Sequence, residues 1–167
     1  MSRDELLRRA ERDQRVREPA VGAAGRLTLW QGLRGLWTDR RNTRWLARLV
    51  RRDGWPGISV AGADGAHAAW LLAQHADRLP EVQRMFLGAM REAVERGDAE
   101  RKDLAYLEDR VRVNAGRPQL YGTQYGVTEA GFGPRPIEDP DRLDERRAAV
   151  GLQPMAEYDA GMRRRAD

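Results

Sequence analysis

Cysteine is absent from this chain of 167 residues, so disulfide bonds and thiolate metal sites are excluded. Long apolar runs are absent too, since no stretch approaches the roughly 20 apolar residues of a membrane-spanning helix. The first residues, MSRDELLRRAERDQ, are charged and lack the apolar core of a signal peptide. The cytoplasm is therefore the expected location, and no membrane contact is expected.

Lysine is nearly absent, and Lys102 is the only one, so arginine carries almost all the positive charge. The net charge is +4 and the isoelectric point is about 10.1. Acidic residues alternate with the arginines along most of the chain, whereas a nucleic-acid-binding protein concentrates its positive charge on one face. The pattern disfavours nucleic acid as a partner.

Metal and cofactor motifs are also missing. The two histidines, His67 and His75, are eight residues apart, about 12 Å along a helix, which is too far to chelate one metal ion. The chain has no HExxH sequence and no phosphate-binding GxxxxGK[ST] loop. We therefore expect no metal and no cofactor.

Apolar residues recur at helical spacing through most of the chain. The pattern predicts a mostly α fold, a compact bundle of about five to seven helices, with residues 1–162 as a single domain and 163–167 as a basic tail. The predicted helices cover 2–17, 29–37, 38–53 (with Thr38 as N-cap), 65–78, 80–96, 99–114, 141–149 and 154–164.

Glycine and proline interrupt this pattern at 116–140. The segment also contains Leu120, Tyr121, Tyr125, Val127, Phe132 and Ile137, which a disordered linker would lack. We expect a long ordered loop, in which a short hairpin is one option. Loops of this length within a compact domain are often functional.

The pair Gln74-His75 is the main candidate for a functional site. It lies in the most apolar predicted helix, where polar side chains cost stability unless they are hydrogen bonded. Taken alone, the pair fits a structural histidine better than a catalytic one. Histidine is nevertheless the side chain best suited to proton transfer near neutral pH.

Three further groups of polar residues accompany it. Asp109 and Arg110 flank a helical core stripe, and Arg110 could bind an anion. The turn from Gln119 to Gln124 includes Tyr121 and combines amide, phenol and hydroxyl groups that suit a polar ligand. Asp13-Gln14 and Arg17 lie on the weakly apolar first helix, where an i,i+4 ion pair between Asp13 and Arg17 is the simplest explanation.

The order of these motifs resembles a bacterial family of unknown function that occurs mainly in actinomycetes. The resemblance is carried by DQxxR (13–17), GWP (54–56), QHAD (74–77), LxDR (107–110) and QxYGTQ (119–124), and it covers nearly the whole chain. Residues 18–37 depart from it by being longer and more apolar. No reaction is assigned to this family, but the resemblance implies that the polar side chains of these motifs line one common pocket.

Two functions stay open on these grounds. In the first, a cofactor-independent enzyme acts on a small polar or anionic molecule, with His75 as general acid or base oriented by Gln74 or Asp109. In the second, a non-catalytic module binds a metabolite or peptide. The candidate catalytic residues are His75, Asp109 and Tyr121, and the candidate ligand-binding residues are Gln14, Arg17, Gln74, Arg110, Gln119 and Gln124.

Overall fold

The computed structural model describes residues 3–17, 29–129 and 131–166. Within these ranges there are seven α-helices and one antiparallel hairpin. The elements are α1 (Arg3–Arg17), α2 (Leu29–Asp53), α3 (Ile58–Gln74), α4 (Pro80–Glu95), α5 (Arg101–Asn114), β1 (Tyr125–Thr128), β2 (Gly131–Pro134), α6 (Leu143–Ala149) and α7 (Met155–Ala166). The prediction of a mostly α fold is confirmed, and the hairpin lies inside the Gly/Pro-rich segment.

The chain divides into two compact units, Met1–Ala99 and Glu100–Asp167. Helices α1–α4 belong to the N-terminal unit, and α5–α7 with the hairpin belong to the C-terminal unit. Each unit has its own buried residues. The single domain over 1–162 stays a prediction.

In the N-terminal unit, α1 packs against α2 and α3, and α4 packs against the same two helices. Large apolar side chains fill the interior, including Leu6, Leu46, Leu72, Phe86 and Met90. The inner stripe of α1 consists of Leu6, Ala10 and Asp13, which recur at the spacing of one helix face. A carboxylate thus occupies a position where the helical pattern calls for an apolar residue.

The C-terminal unit has an interior rich in polar side chains. Its buried apolar residues include Ala105, Leu107 and Leu143, while its buried polar ones include Asp103, Asp109, Arg112, Gln119, Thr123, Gln124 and Arg147. Buried polar groups are stable only when hydrogen bonded. The loop between α5 and β1 is accordingly ordered by side-chain hydrogen bonds more than by apolar packing.

Two local expectations are corrected. Residues 29–53 form one helix, so Thr38 lies inside α2 and is not its N-cap. On the same helix Trp37 is 72% exposed, because nine residues at 100° each place it opposite the buried Leu46. His75 lies just after the last residue of α3 instead of inside a helix.

Helix α7 continues as far as Ala166, and the basic tail at 163–167 stays a prediction. Most of the 18–37 departure from the family pattern lies outside the described residues. Among the helices that the structure describes, none is long and apolar enough to cross a membrane.

Candidate functional site

His75 meets a buried carboxylate of another helix. Its Nδ1 lies 2.6 Å from Oδ2 of Asp13, and Asp13 is only 1% exposed. The His75 side chain is 17% exposed, and its Nε2 has no hydrogen-bond partner in the described part of the chain. In the neutral ring beside an ionised Asp13, the 2.6 Å contact requires the proton on Nδ1, which leaves Nε2 as an acceptor.

Arg17 joins this pair to a second carboxylate. Its Nε lies 3.1 Å from Oδ2 of Asp13, which confirms the expected i,i+4 ion pair, and its Nη2 contacts Asp39 of α2. Burial alone would raise the pKa of Asp13, but the hydrogen bonds and charges of His75 and Arg17 outweigh it and hold that pKa below its usual value. For Asp39, burial prevails over Arg17 and raises the pKa.

Ligand-type atoms of Asp13, Asp39 and His75 all lie within 4.8 Å of one another. That spacing would let a single small cation contact all three groups. However, the guanidinium of Arg17 already contacts both carboxylates and supplies positive charge there. The expectation of no metal therefore stays a prediction, which metal titration can test.

The backbone that carries His75 is held by Gln83 of α4. The last carbonyl groups of a helix lack partners within it. Nε2 of the fully buried Gln83 donates to the carbonyl oxygens of Ala73 and Gln74 at 3.2 and 3.0 Å, and to Oδ1 of Asp77 at 3.1 Å. These bonds cap α3 and fix the point where the chain turns at His75.

Two amide groups near this cluster in sequence are buried without a hydrogen-bond partner in the part of the chain that the structure describes. They are Nε2 of Gln74, next to His75, and Nδ2 of Asn42, three residues after Asp39. Nε2 of the exposed Gln14 lies 3.3 Å from Oδ2 of Asp13. Buried donors left unpaired are costly to the stability of the fold.

Asp109, in the C-terminal unit, organises the loop after α5. Its carboxylate accepts hydrogen bonds from the backbone N–H groups of Leu120, Tyr121 and Thr123 at 2.6–3.2 Å, and from the hydroxyl of Thr123 at 2.9 Å. Burial raises the pKa of Asp109 although these hydrogen bonds lower it. The carboxylate thus accepts the hydrogen bonds of backbone N–H groups in this tight turn, as a backbone carbonyl oxygen would.

Gln119 acts on the other side of the same loop. Its Nε2 donates to the carbonyl oxygens of Gln124 and Arg135, and its Oε1 accepts from the N–H of Gln124. Oε1 of Gln124 in turn accepts from Nη1 of Arg110 at 3.1 Å. These side chains connect the loop to α5 and to the end of the hairpin.

The structure assigns the predicted site residues to two units. Gln14, Arg17, Gln74 and His75 belong to the N-terminal unit. The C-terminal unit contains Asp109, Arg110, Gln119, Tyr121 and Gln124. Gln74 or Asp109 was expected to orient His75. Instead, the ring of His75 is hydrogen bonded to Asp13, and the carboxylate of Asp109 accepts hydrogen bonds from the loop after α5. A ligand-binding or catalytic role for the second set stays a prediction.

Sequence reasoning missed three groups at the first site. Asp13 was placed in the DQxxR motif, with an ion pair to Arg17 as its simplest explanation, and neither Asp39 nor Gln83 was chosen as a site residue. A signal existed for two of these groups, because Asp13 and Gln83 fall on otherwise apolar inner faces. A polar residue at such a position needs a partner from another element.

The fold and this cluster define a mostly α-helical protein with a buried carboxylate–imidazole pair. Residues 2–164 match a family described as a family of unknown function, DUF6624, and the chain belongs to that family. This confirms the resemblance to a family without an assigned reaction. No curated protein matches the chain, and no solved structure matches it.

Proposed function

We propose that this protein is a cofactor-independent enzyme in which His75 acts as general base or general acid on a small polar or anionic molecule. The observation that supports this proposal most directly is the 2.6 Å contact between Nδ1 of His75 and the buried carboxylate of Asp13. A bacterial, mainly actinomycete, origin and a cytoplasmic location remain parts of this proposal.

The chemistry follows from the tautomer. With Nδ1–H donated to Asp13, Nε2 can remove a proton from a bound substrate, and the resulting imidazolium faces the carboxylates of Asp13 and Asp39. Those two negative charges stabilise the positive ring, whereas the one positive charge of Arg17 opposes it. The returned proton leaves from the same Nε2 when His75 acts as the acid.

The substrate class follows from the groups around the ring. The Arg17 side chain is 37% exposed, so its guanidinium can also contact a solvent-borne anion. Gln14, whose Nε2 lies 3.3 Å from Oδ2 of Asp13, adds a hydrogen-bonding amide. Such a set favours a small molecule with carboxylate, phosphate or carbonyl oxygens.

The test is a turnover screen with a built-in control histidine. Purified protein is incubated with a defined panel of small esters, amides, hydroxy acids and phosphomonoesters, and products are measured by mass spectrometry. For any converted compound, His75→Ala should lower kcat by about 10²–10⁴-fold, and Asp13→Asn should also lower it. His67→Ala should match the wild type, because His67 is exposed and packs on Trp70. Full activity of His75→Ala would overturn the proposal.

Nitrogen NMR of the two histidines tests the geometry without a substrate. In 15N-histidine-labelled protein, the neutral ring of His75 should carry its proton on Nδ1, and Asp13→Asn should change its ring 15N shifts far more than those of His67. A neutral His75 with its proton on Nε2 would contradict the orientation on which the mechanism depends.

A second candidate is a binding module without catalysis. The buried amides of Gln74 and Asn42 favour it, since they have no acceptor among the residues that the structure describes and a bound ligand could supply one. This candidate predicts that some compounds of the panel raise the melting temperature of the wild type without being converted to a product. The same compounds should raise the melting temperature of Gln74→Leu by less. A separate experiment adds Zn²⁺ or Mn²⁺ without an organic compound. If a cation is the ligand, it should raise the melting temperature of the wild type but not that of Asp39→Asn, whereas an organic ligand should still stabilise Asp39→Asn.

A further inference from the structure

Arg147 is a fully buried cation in the C-terminal unit, with 1% of its surface exposed. Nε donates to the carbonyl oxygen of Gln153 at 2.7 Å, and Nη1 donates to the carbonyl oxygen of Tyr121. The guanidinium carbon lies 4.9 Å from the ring centre of Tyr158. All of these partners are uncharged.

No carboxylate of the described residues forms an ion pair with Arg147. Arg112, which is also a buried arginine of this unit, gives a direct comparison. Arg112 also donates to a backbone carbonyl, that of Pro118, but it has Glu138 as its counterion. Buried charges are normally paired because desolvation is costly, so the positive charge of Arg147 lacks the anion that would compensate it.

The space beside Arg147 is a cavity of about 320 Å³, at the small end of the range for metabolite sites. Its lining includes Arg147, Tyr106, Tyr158, Gln153, Gly151 and Gly161. Burial, and then a hydrogen bond that stabilises its protonated form beside Tyr106, raise the pKa of Tyr158 well above its usual value. The Tyr158 phenol is therefore neutral at physiological pH and adds no negative charge to the cavity.

We propose that this cavity binds a small organic monocarboxylate whose carboxylate pairs with the guanidinium of Arg147. Among the described residues that line the cavity, Arg147 is the one cation. It balances one negative charge, whereas a phosphate dianion would leave one in excess. Tyrosine rings with Leu152 and Met162 supply surface for a flat or branched apolar body. This site lies in a different unit from His75 and does not depend on the function proposed for that residue.

Benzoate is a suitable probe for the full-length protein, with benzamide as its neutral counterpart of equal shape. Binding is followed by 1H–15N NMR at the amides of Gly151 and Gly161, which line the cavity. We expect saturable shifts with benzoate and at least tenfold weaker binding of benzamide. Inorganic phosphate should also bind more weakly than benzoate.

Two variants locate the site. Arg147→Met should abolish benzoate binding, but the lost bonds to backbone carbonyls can also prevent folding. Gly161→Leu avoids this problem: a Cβ there meets only Nη2 of Arg164, at 3.8 Å. It should fill the cavity and weaken benzoate binding at least tenfold. Gly88→Leu is the matched control, since Gly88 is also helical, has open space around its Cβ and does not line the cavity.

The outcomes separate the two proposals. Benzoate affinity should be unchanged in His75→Ala, so failure of the proposed catalysis leaves this inference intact. The inference is overturned if benzoate causes no shifts up to its solubility limit, or if benzamide binds equally well. Tighter binding of phosphate than of benzoate, or wild-type affinity in a folded Gly161→Leu variant, would overturn it as well.

Discussion

Asp13 and His75 lie 62 positions apart in the sequence, yet they share a 2.6 Å hydrogen bond. The bond joins the inner face of α1 to the end of α3, and Arg17 extends the cluster to Asp39 on α2. Three helices of the N-terminal unit therefore meet at charged groups where an ordinary bundle would place apolar side chains. We interpret this arrangement as a site because its stability depends on mutual charge compensation, while Nε2 of His75 makes no hydrogen bond within the described residues.

Stability should depend on pH through Asp13. Its pKa is lower in the folded protein than in the unfolded chain, so the ionised carboxylate stabilises the fold above the unfolded pKa, near 3.9. That contribution is lost as the pH falls through the folded pKa. Asp13→Asn should lower the free energy of unfolding by about 1–3 kcal/mol at pH 7, and the difference from wild type should shrink below about pH 4.

Urea unfolding at several pH values measures this difference. Glu11→Ala is the control, because the Glu11–Arg15 pair is exposed on both sides and such pairs contribute about 0–1 kcal/mol. An Asp13→Asn difference that stays constant from pH 7 to pH 3 would contradict the assigned role of the carboxylate.

Most helices could be predicted from the sequence because their signals are local. The apolar spacing of α4, with Pro80 in its first turn and Gly97 just after it, identifies its ends without knowledge of its neighbours. The continuity of α2 could not be predicted in this way. Gly32 and Gly35 argue against a helix by intrinsic propensity, whereas the structure continues the helix through both.

The site was only partly predictable, because pairing between distant residues is not encoded in spacing. His75 stood out as a polar residue in an apolar segment, but nothing local identifies Asp13 as its partner. Arg147 shows the same limit: its local sequence does not predict its complete burial, or that its guanidinium donates to the carbonyl oxygen of Tyr121, 26 positions away.

The loop after α5 should depend on Asp109. Asp109→Ala removes the acceptor of the N–H groups of Leu120, Tyr121 and Thr123, and we expect a loss of about 2–4 kcal/mol in the free energy of unfolding. Thr123→Val removes only one hydroxyl donor from the set, and should cost about 1 kcal/mol.

Hydrogen exchange provides the site-specific measurement. The amides of Leu120, Tyr121 and Thr123 should exchange much faster in Asp109→Ala, while Thr123→Val should preserve their protection. Equal protection in Asp109→Ala and wild type would show that other contacts order the loop.

Gly57 should be intolerant of any side chain, because the backbone of Asp98 passes directly beside it. A Cβ at Gly57 would lie 2.6 Å from the carbonyl oxygen of Asp98 and would also collide with its carboxylate. Asp98 accepts the N–H groups of Ile58 and Ser59 at 2.9 and 2.6 Å, so displacing it uncaps the start of α3. Gly57→Ala should therefore lower the free energy of unfolding by about 2–4 kcal/mol.

Gly88→Ala is the matched substitution, since a Cβ at Gly88 meets no atom within 4 Å. Replacing a glycine inside α4 by alanine should raise the free energy of unfolding by about 0.5–1 kcal/mol. Thermal and urea unfolding of both variants decides the matter. If Gly57→Ala is as stable as Gly88→Ala, the close approach of Asp98 does not constrain position 57, and the glycine after Trp55-Pro56 serves only the turn. A loss confined to Gly57→Ala instead establishes that Asp98 fixes the beginning of the helix that ends at His75.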